Sequence, residues 1–252
     1  MTLTIPRWNG TADNSRDAYF RASQAGIECI ETDIRLSADG YLIMLHDAGL
    51  GRETDVGEQS GKLAYNPYTG HGYNPAIIKS NYSGFIENLH YRDEQGRAHF
   101  ETIATLEDVV STIQEAATNV VLQLDFKEKA AVEQAYWRLK ALTNHAGVPA
   151  NEWCIYKVQA SWWRTPEEFE AQAWVRDAFA SGVRLAHIPV YQPSDEADFD
   201  TIASVEAFGR TNYTISAEIE MRSNKGPLSS LLGLVQSADG SDGNTISTAG
   251  IL

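Results

Sequence analysis

Cys29-Ile30-Glu31-Thr32-Asp33-Ile34 is the stretch from which the fold is read. A strand alternates its side chains, so Glu31 and Asp33 share one face and Ile30, Thr32 and Ile34 the other. Val121-Leu122-Gln123-Leu124-Asp125-Phe126-Lys127 repeats the arrangement, with Gln123, Asp125 and Lys127 opposite Leu122, Leu124 and Phe126. In Ile155-Tyr156-Lys157-Val158-Gln159, Lys157 and Gln159 stand against Tyr156 and Val158. Three strands with one apolar and one polar face fit a parallel barrel. Its outer face must be apolar to bury under helices, so the polar sets point inward and those at the strand ends line the mouth. The competing reading is an exposed antiparallel edge with alternating charges, which the uniformly apolar opposite face argues against.

Outward from these strands, β-type runs alternate with helix-period segments. The pattern predicts strands near Leu3–Arg7, Cys29–Ile34, Tyr41–His46, Val120–Phe126, Trp153–Gln159, Arg184–Tyr191 and Tyr213–Glu220, with a last one near Thr245–Leu252. Ser15 opens a helix closed by Gly26, and Thr105 opens another with Leu106, Val109, Val110 and Ile113 on one face. Thr165-Pro166-Glu167-Glu168 reads as a capping box with proline at the first helical position, and helices are also predicted over Glu128–His145 and Thr201–Phe208. Seven or eight strands alternating with helices in one chain predict an α/β protein, a (β/α)8 TIM barrel forming a single domain over 1–252. Leu252 arrives where the last strand is finishing, so the barrel reads as incomplete at its C-terminus. After the third strand, residues 47–101 carry no long helix and read as an insertion on the active-site face, a lid or binding loop.

The chain has 252 residues, with 20 Lys+Arg against 34 Asp+Glu and a formal net charge of −14. That balance repels a polyanion and argues against nucleic acid as a partner. No apolar run reaches the roughly 18 residues of a membrane span, and no basic amphipathic stretch suggests a surface anchor. Met1 is followed almost at once by a strand, leaving no room for a signal peptide, and the chain reads as soluble. Cys29 and Cys154 read as buried free thiols.

Three acids converging in a low-dielectric mouth, Glu31, Asp33 and Asp125, repel one another unless a cation sits among them. An all-oxygen set suits Mg²⁺ or Ca²⁺ better than Zn²⁺. Lys127 and Lys157 add positive charge suited to an anionic group such as phosphate. His46-Asp47 closes the third strand, where a histidine donates a proton to a leaving oxygen.

Ala12-Asp13-Asn14-Ser15, the run Gly26-Ile27-Glu28-Cys29-Ile30-Glu31-Thr32-Asp33-Ile34-Arg35-Leu36-Ser37-Ala38-Asp39-Gly40, and Leu45-His46-Asp47 together resemble the glycerophosphodiester phosphodiesterases, barrels of the phosphatidylinositol-phospholipase-C-like group. The Glu-Thr-Asp form with Leu124-Asp125-Phe126-Lys127 is also similar to sphingomyelinase D-type phospholipases. The resemblance implies hydrolysis of a glycerophosphodiester or a lysophospholipid-like head group, within lipid metabolism. It implies Glu31, Asp33 and Asp125 as ligands of a divalent metal, Lys127 beside the phosphate, and His46 as the second of two catalytic histidines. The first belongs to a His-Arg-Gly triplet that here reads Pro6-Arg7-Trp8. Arg7 keeps the phosphate-binding position, while the missing histidine is either supplied from elsewhere, with His71 the candidate, or its loss weakens or abolishes activity. Two other readings stand beside this one. One is a phosphodiester-binding pseudoenzyme, and the other is a barrel glycosidase using Glu31 or Asp125 as a carboxylate pair.

Overall fold

The computed structural model describes residues 3–4, 11–93, 95–221 and 226–231. The chain divides into two compact units, Met1–Trp153 and Cys154–Leu252. Arg7 and the strand expected over Thr245–Leu252 lie outside the described residues.

In the first unit β1 (Leu3–Thr4) and β2 (Cys29–Leu36) pair in parallel, joined by helix α1 (Arg16–Gln24). Ser15 caps α1 by accepting from the Ala18 amide, and the helix is followed by Gly26 at φ +81°, a conformation that costs glycine no Cβ clash. The next strand, β3 (Leu42–Ile43), departs from expectation. It pairs antiparallel with β2, Arg35 opposite Ile43 and Leu36 opposite Leu42, and is not a barrel strand. The reason is the length of the connection. Parallel neighbours need a crossover of a dozen or more residues, whereas Ser37-Ala38-Asp39-Gly40 permits only a tight return. Ser37 closes it with its amide on the Tyr41 carbonyl and its hydroxyl accepting from the Tyr41 amide, and Gly40 takes φ +83°.

The segment after β3 is structured throughout its described length. A short helix α2 (Val56–Gln59) is followed by 3-10 turns at Ile77–Lys79 and Ile86–Asn88 and by the hairpin β4 (His90–Arg92) and β5 (Ala98–Thr102). Leu50, Val56, Ile77, Ile86, Leu89, Tyr91 and Ile103 bury together with Ala12, Ile43 and Leu45, so the insertion shares a core with the strand ends it springs from. Tyr91 fixes it there. Its hydroxyl reaches the main-chain oxygens of Asn14 at 3.0 Å and Met44 at 3.1 Å and accepts from the Ala104 amide.

Helix α3 (Leu106–Ala116) begins with a full capping box between Thr105 and Asp108 and buries Leu106, Val109, Val110 and Ile113, the face its spacing predicts. It leads to β6 (Val121–Phe126), which pairs in parallel with β2 over six residues and sets Glu31 opposite Gln123 and Asp33 opposite Asp125. Helix α4 (Lys129–Leu139) follows and stops well short of His145.

In the second unit β7 (Cys154–Gln159), β8 (Ala186–Tyr191) and β9 (Glu218–Ile219) form a parallel ladder. Between β7 and β8 the predicted single helix is two, α5 (Pro166–Glu170) and α6 (Ala173–Ala180). Thr165 caps the first by accepting from the Glu168 amide, while Glu168 reaches back to the Arg164 amide. Helix α7 (Thr201–Gly209) precedes β9 and is capped by Asp200. Phe169 is fully buried against Trp174, His187, Phe208 and Tyr213. Cys29 and Cys154 are both free and buried. No helix among the described residues is long and apolar enough to cross a membrane.

Candidate active site

The site is assembled at the ends of β2 and β6 in the first unit. Because these strands pair in register, Asp33 and Asp125 are direct neighbours, and Lys127 follows just past β6. The Lys127 ammonium lies 2.9 Å from Asp33 Oδ1 and 2.9 Å from Asp125 Oδ2. Two carboxylates therefore converge on one positive charge. Burial favours neutral Asp33, but the Lys127 ammonium outweighs it, with help from His46 and Asn14, and the carboxyl sits below its ordinary range. Burial likewise opposes the Lys127 charge, and Asp125 and Asp33 overcome that, raising its pKa. Glu31 is half-buried on the same face as Asp33, two residues upstream and opposite Gln123.

Asn14 supports this pair, and sequence reasoning assigned it no role. It is buried in the turn before α1 with φ +58°, a left-handed backbone that asparagine tolerates better than most residues. From there Nδ2 donates to Asp33 Oδ2 at 3.1 Å, while Oδ1 accepts from the Tyr19 hydroxyl at 3.0 Å. Tyr19 is fully buried, bonded also to Thr32, and burial holds its hydroxyl protonated.

The antiparallel return of β3 carries the chain back along β2 and delivers His46 to the Asp33 end. The Arg35 guanidinium donates to the His46 main-chain oxygen from Nε at 2.9 Å and Nη2 at 2.6 Å, and Nη1 pairs with Glu128 at 2.7 Å. His46 Nδ1 meets Asp47 Oδ1 at 2.9 Å, while its own amide donates to Glu53 Oε2 at 3.0 Å. Arg52 bridges the two acids, bonding Asp47 through Nε and Nη2 and Glu53 through Nη2. The Asp47 bond, opposed by burial and reinforced by Asp33, raises the His46 pKa above its ordinary value. Asp47 is held well below the carboxylate range: Arg52 and His46 outweigh its burial. Burial is the largest influence on Glu53 and raises it, against the pull of Arg52.

His46, Asp47 and Glu53 offer ligand atoms within 4.8 Å of one another, a spacing that a metal ion can use. Arg52 already answers Asp47 and Glu53, as Lys127 answers Asp33 and Asp125, so in either group a dication would share the carboxylates with a fixed cation. Asp33 and Asp125 are an all-oxygen pair of the kind that suits a hard divalent cation, whereas the other group includes an imidazole nitrogen.

The other expected residues are placed differently. Lys157 is buried in the second unit with Nζ 2.9 Å from Glu218 Oε2, so part of its charge is already answered. Gln159 ends β7, partly buried. His71 is exposed in the insertion, where its carbonyl accepts from the Asn66 amide.

Residues 5–209 match the Glycerophosphoryl diester phosphodiesterase family. The chain belongs to that family. Its members are phosphodiesterases with the TIM-barrel fold, the fold class expected from the strand and helix alternation. A glycerophosphodiester phosphodiesterase from Thermotoga maritima is 16% identical with a TM-score of 0.58, the match covering 96% of this chain and 81% of that one. A glycerophosphoryl diester phosphodiesterase from Parabacteroides distasonis is 14% identical with a TM-score of 0.56, the match covering 95% of this chain and 66% of that one. No curated protein matches the sequence.

Proposed function

We propose that the chain is a metal-dependent phosphoric diester hydrolase acting on glycerophosphodiesters or lysophospholipid-like head groups, in lipid metabolism. The observation that carries this reading is the Lys127 ammonium held 2.9 Å from both Asp33 and Asp125, in a member of a phosphodiesterase family. Asp33 and Asp125, with Glu31 on the same face, are the residues that would hold Mg²⁺ or Ca²⁺. Bound there, the ion would stabilise the negative charge that builds on the phosphoryl oxygens in the transition state. Lys127 supplies the charge that meets the anionic phosphate.

His46 is the proton donor to the leaving oxygen. With Nδ1 engaged by Asp47, its Nε2 is the nitrogen left to exchange a proton with substrate, and the raised pKa keeps it charged at neutral pH more fully than a free histidine. Arg52 and Glu53 fix Asp47 and the His46 amide and so set the ring's position. Arg7 completes the phosphate contacts in this reading, whereas Lys157 is paired with Glu218 within the second unit and is given no part in it.

The test is release of phosphomonoester from a glycerophosphodiester panel by the full chain with added Mg²⁺ or Ca²⁺. Turnover that a chelator abolishes and either ion restores supports the assignment. Turnover indifferent to chelation removes the metal from it, and the absence of product with every diester sinks the hydrolase reading.

A further inference from the structure

In this acid-rich chain residues 59–86 form the longest run without Asp or Glu, 28 positions holding Lys62, Lys79, Tyr65, Tyr68, Tyr73, Tyr82 and Phe85. Sequence reading found no surface anchor because the segment is not a helix and shows no helical moment. The structure gives it a definite shape. The Tyr73 amide donates to the Leu63 carbonyl and the Asn66 amide to the His71 carbonyl, so 63–73 is a two-limbed ribbon. Asn66 organises its tip, where Oδ1 accepts from the Tyr68 and Thr69 amides.

The ribbon is seated too closely for side chains to intervene. A Cβ at Gly72, whose φ is +112°, would lie 2.3 Å from the Ala64 carbonyl oxygen. At Gly51 it would lie 2.5 Å from the Tyr65 Cβ, and at Gly57 2.9 Å from the Ala64 Cα. The base is bonded just past the histidine, with the Ile77 amide on the Ala48 carbonyl and the Leu50 amide on the Pro75 carbonyl. Two large apolar side chains stand out from this firm stalk beside the exposed Asn66, Thr69 and His71: Tyr68 is 97% exposed and Leu63 74% exposed, with Lys62 stacked over the Tyr73 ring at 3.7 Å.

We propose that this ribbon docks on a phospholipid surface. Tyrosine and leucine enter the interfacial region readily, and lysine keeps its charge at the phosphate level while its stem lies along apolar groups. Carboxylates would be repelled there, and this is the long stretch from which they are missing. Docking sets the His46 end of the first unit beside the head groups, and only that consequence rests on the hydrolase reading.

The experiment is flotation of the full chain with phosphatidylcholine vesicles containing phosphatidylglycerol, a readout that needs no turnover. The wild type is expected to float with the vesicles. The Leu63→Ser/Tyr68→Ser variant is expected to bind about tenfold more weakly or worse, with unchanged melting and unchanged hydrolysis of a water-soluble diester. Lys62→Gln/Lys79→Gln is expected to bind several-fold more weakly. A wild type that stays with the solution phase, or a Leu63→Ser/Tyr68→Ser variant that floats like it, overturns the proposal. So does a wild-type dimer in sedimentation that this variant dissociates, which would assign the ribbon to a second copy of the chain.

Discussion

The guanidinium of Arg35 donates twice to the main-chain oxygen of His46, at 2.9 Å and 2.6 Å, and so couples the strand carrying Asp33 to the backbone of the proposed proton donor. Lysine cannot reproduce this fork. Arg35→Lys should lower kcat about tenfold or more while leaving KM within about twofold, because the residue positions His46 without meeting the substrate. A rise in KM at constant kcat would show instead that Arg35 binds substrate.

Asp33→Asn removes one of the two carboxylates around Lys127. Activity should fall about a hundredfold or more, and the half-saturating metal concentration should rise. Lys127 keeps Asp125, so thermal or urea unfolding should show a loss of only about 1.5–3 kcal/mol. Full activity in a folded Asp33→Asn variant would remove Asp33 from the site.

The His46 pKa is raised chiefly by its bond to Asp47. In the proposed general-acid role, His46 should lose activity as pH rises through that value. Asp47→Asn removes the carboxylate, the pKa drops, and the alkaline fall in kcat should begin at lower pH. A pH–rate profile superimposable on the wild type would place the titrating donor elsewhere.

By the resemblance of the opening sequence, the family's first histidine position falls at Pro6. Restoring a second proton-transferring group with Pro6→His should raise kcat about tenfold or more on a glycerophosphodiester. An unchanged or lower rate would mean that another side chain already fills that role.

His187 lies fully buried among Phe169, Phe208 and Tyr213, and burial lowers its pKa to about 3. The unfolded chain takes up a proton near pH 6.5 while the folded one does not. Stability is therefore complete above about 6.5 and is lost as pH falls toward about 3, by at most roughly 1.4 kcal/mol per pH unit. Urea unfolding at successive pH values should show this limb, and His187→Gln should flatten it. Equal slopes in both proteins would contradict the assignment.

The strands were legible because a period of two survives in any environment that buries one face, and Ile30, Ile34, Leu122, Leu124 and Phe126 are buried as that period requires. The direction of β3 was equally available in the four residues between Leu36 and Tyr41, which favour a hairpin, but strand counting overrode turn length. Asn14 acts from a single left-handed turn position and has no periodicity to reveal it. Arg52 and Glu53 reach His46 and Asp47 through the fold of the insertion. Lys157 looked free because its partner, Glu218, comes sixty-one residues later, and such pairings leave no local trace.

The tight return between β2 and β3 makes part of the proposed reaction centre local in the chain, because Asp33 and His46 belong to a single fourteen-residue stretch. One extra residue at Ala38-Asp39 would slip the pairing and turn every following side chain over, silencing the histidine without touching it. Length variation in natural or engineered relatives should accordingly be shut out of 33–46 and accommodated at the exposed tip of the 63–73 ribbon, where an added residue leaves the hairpin pairing undisturbed.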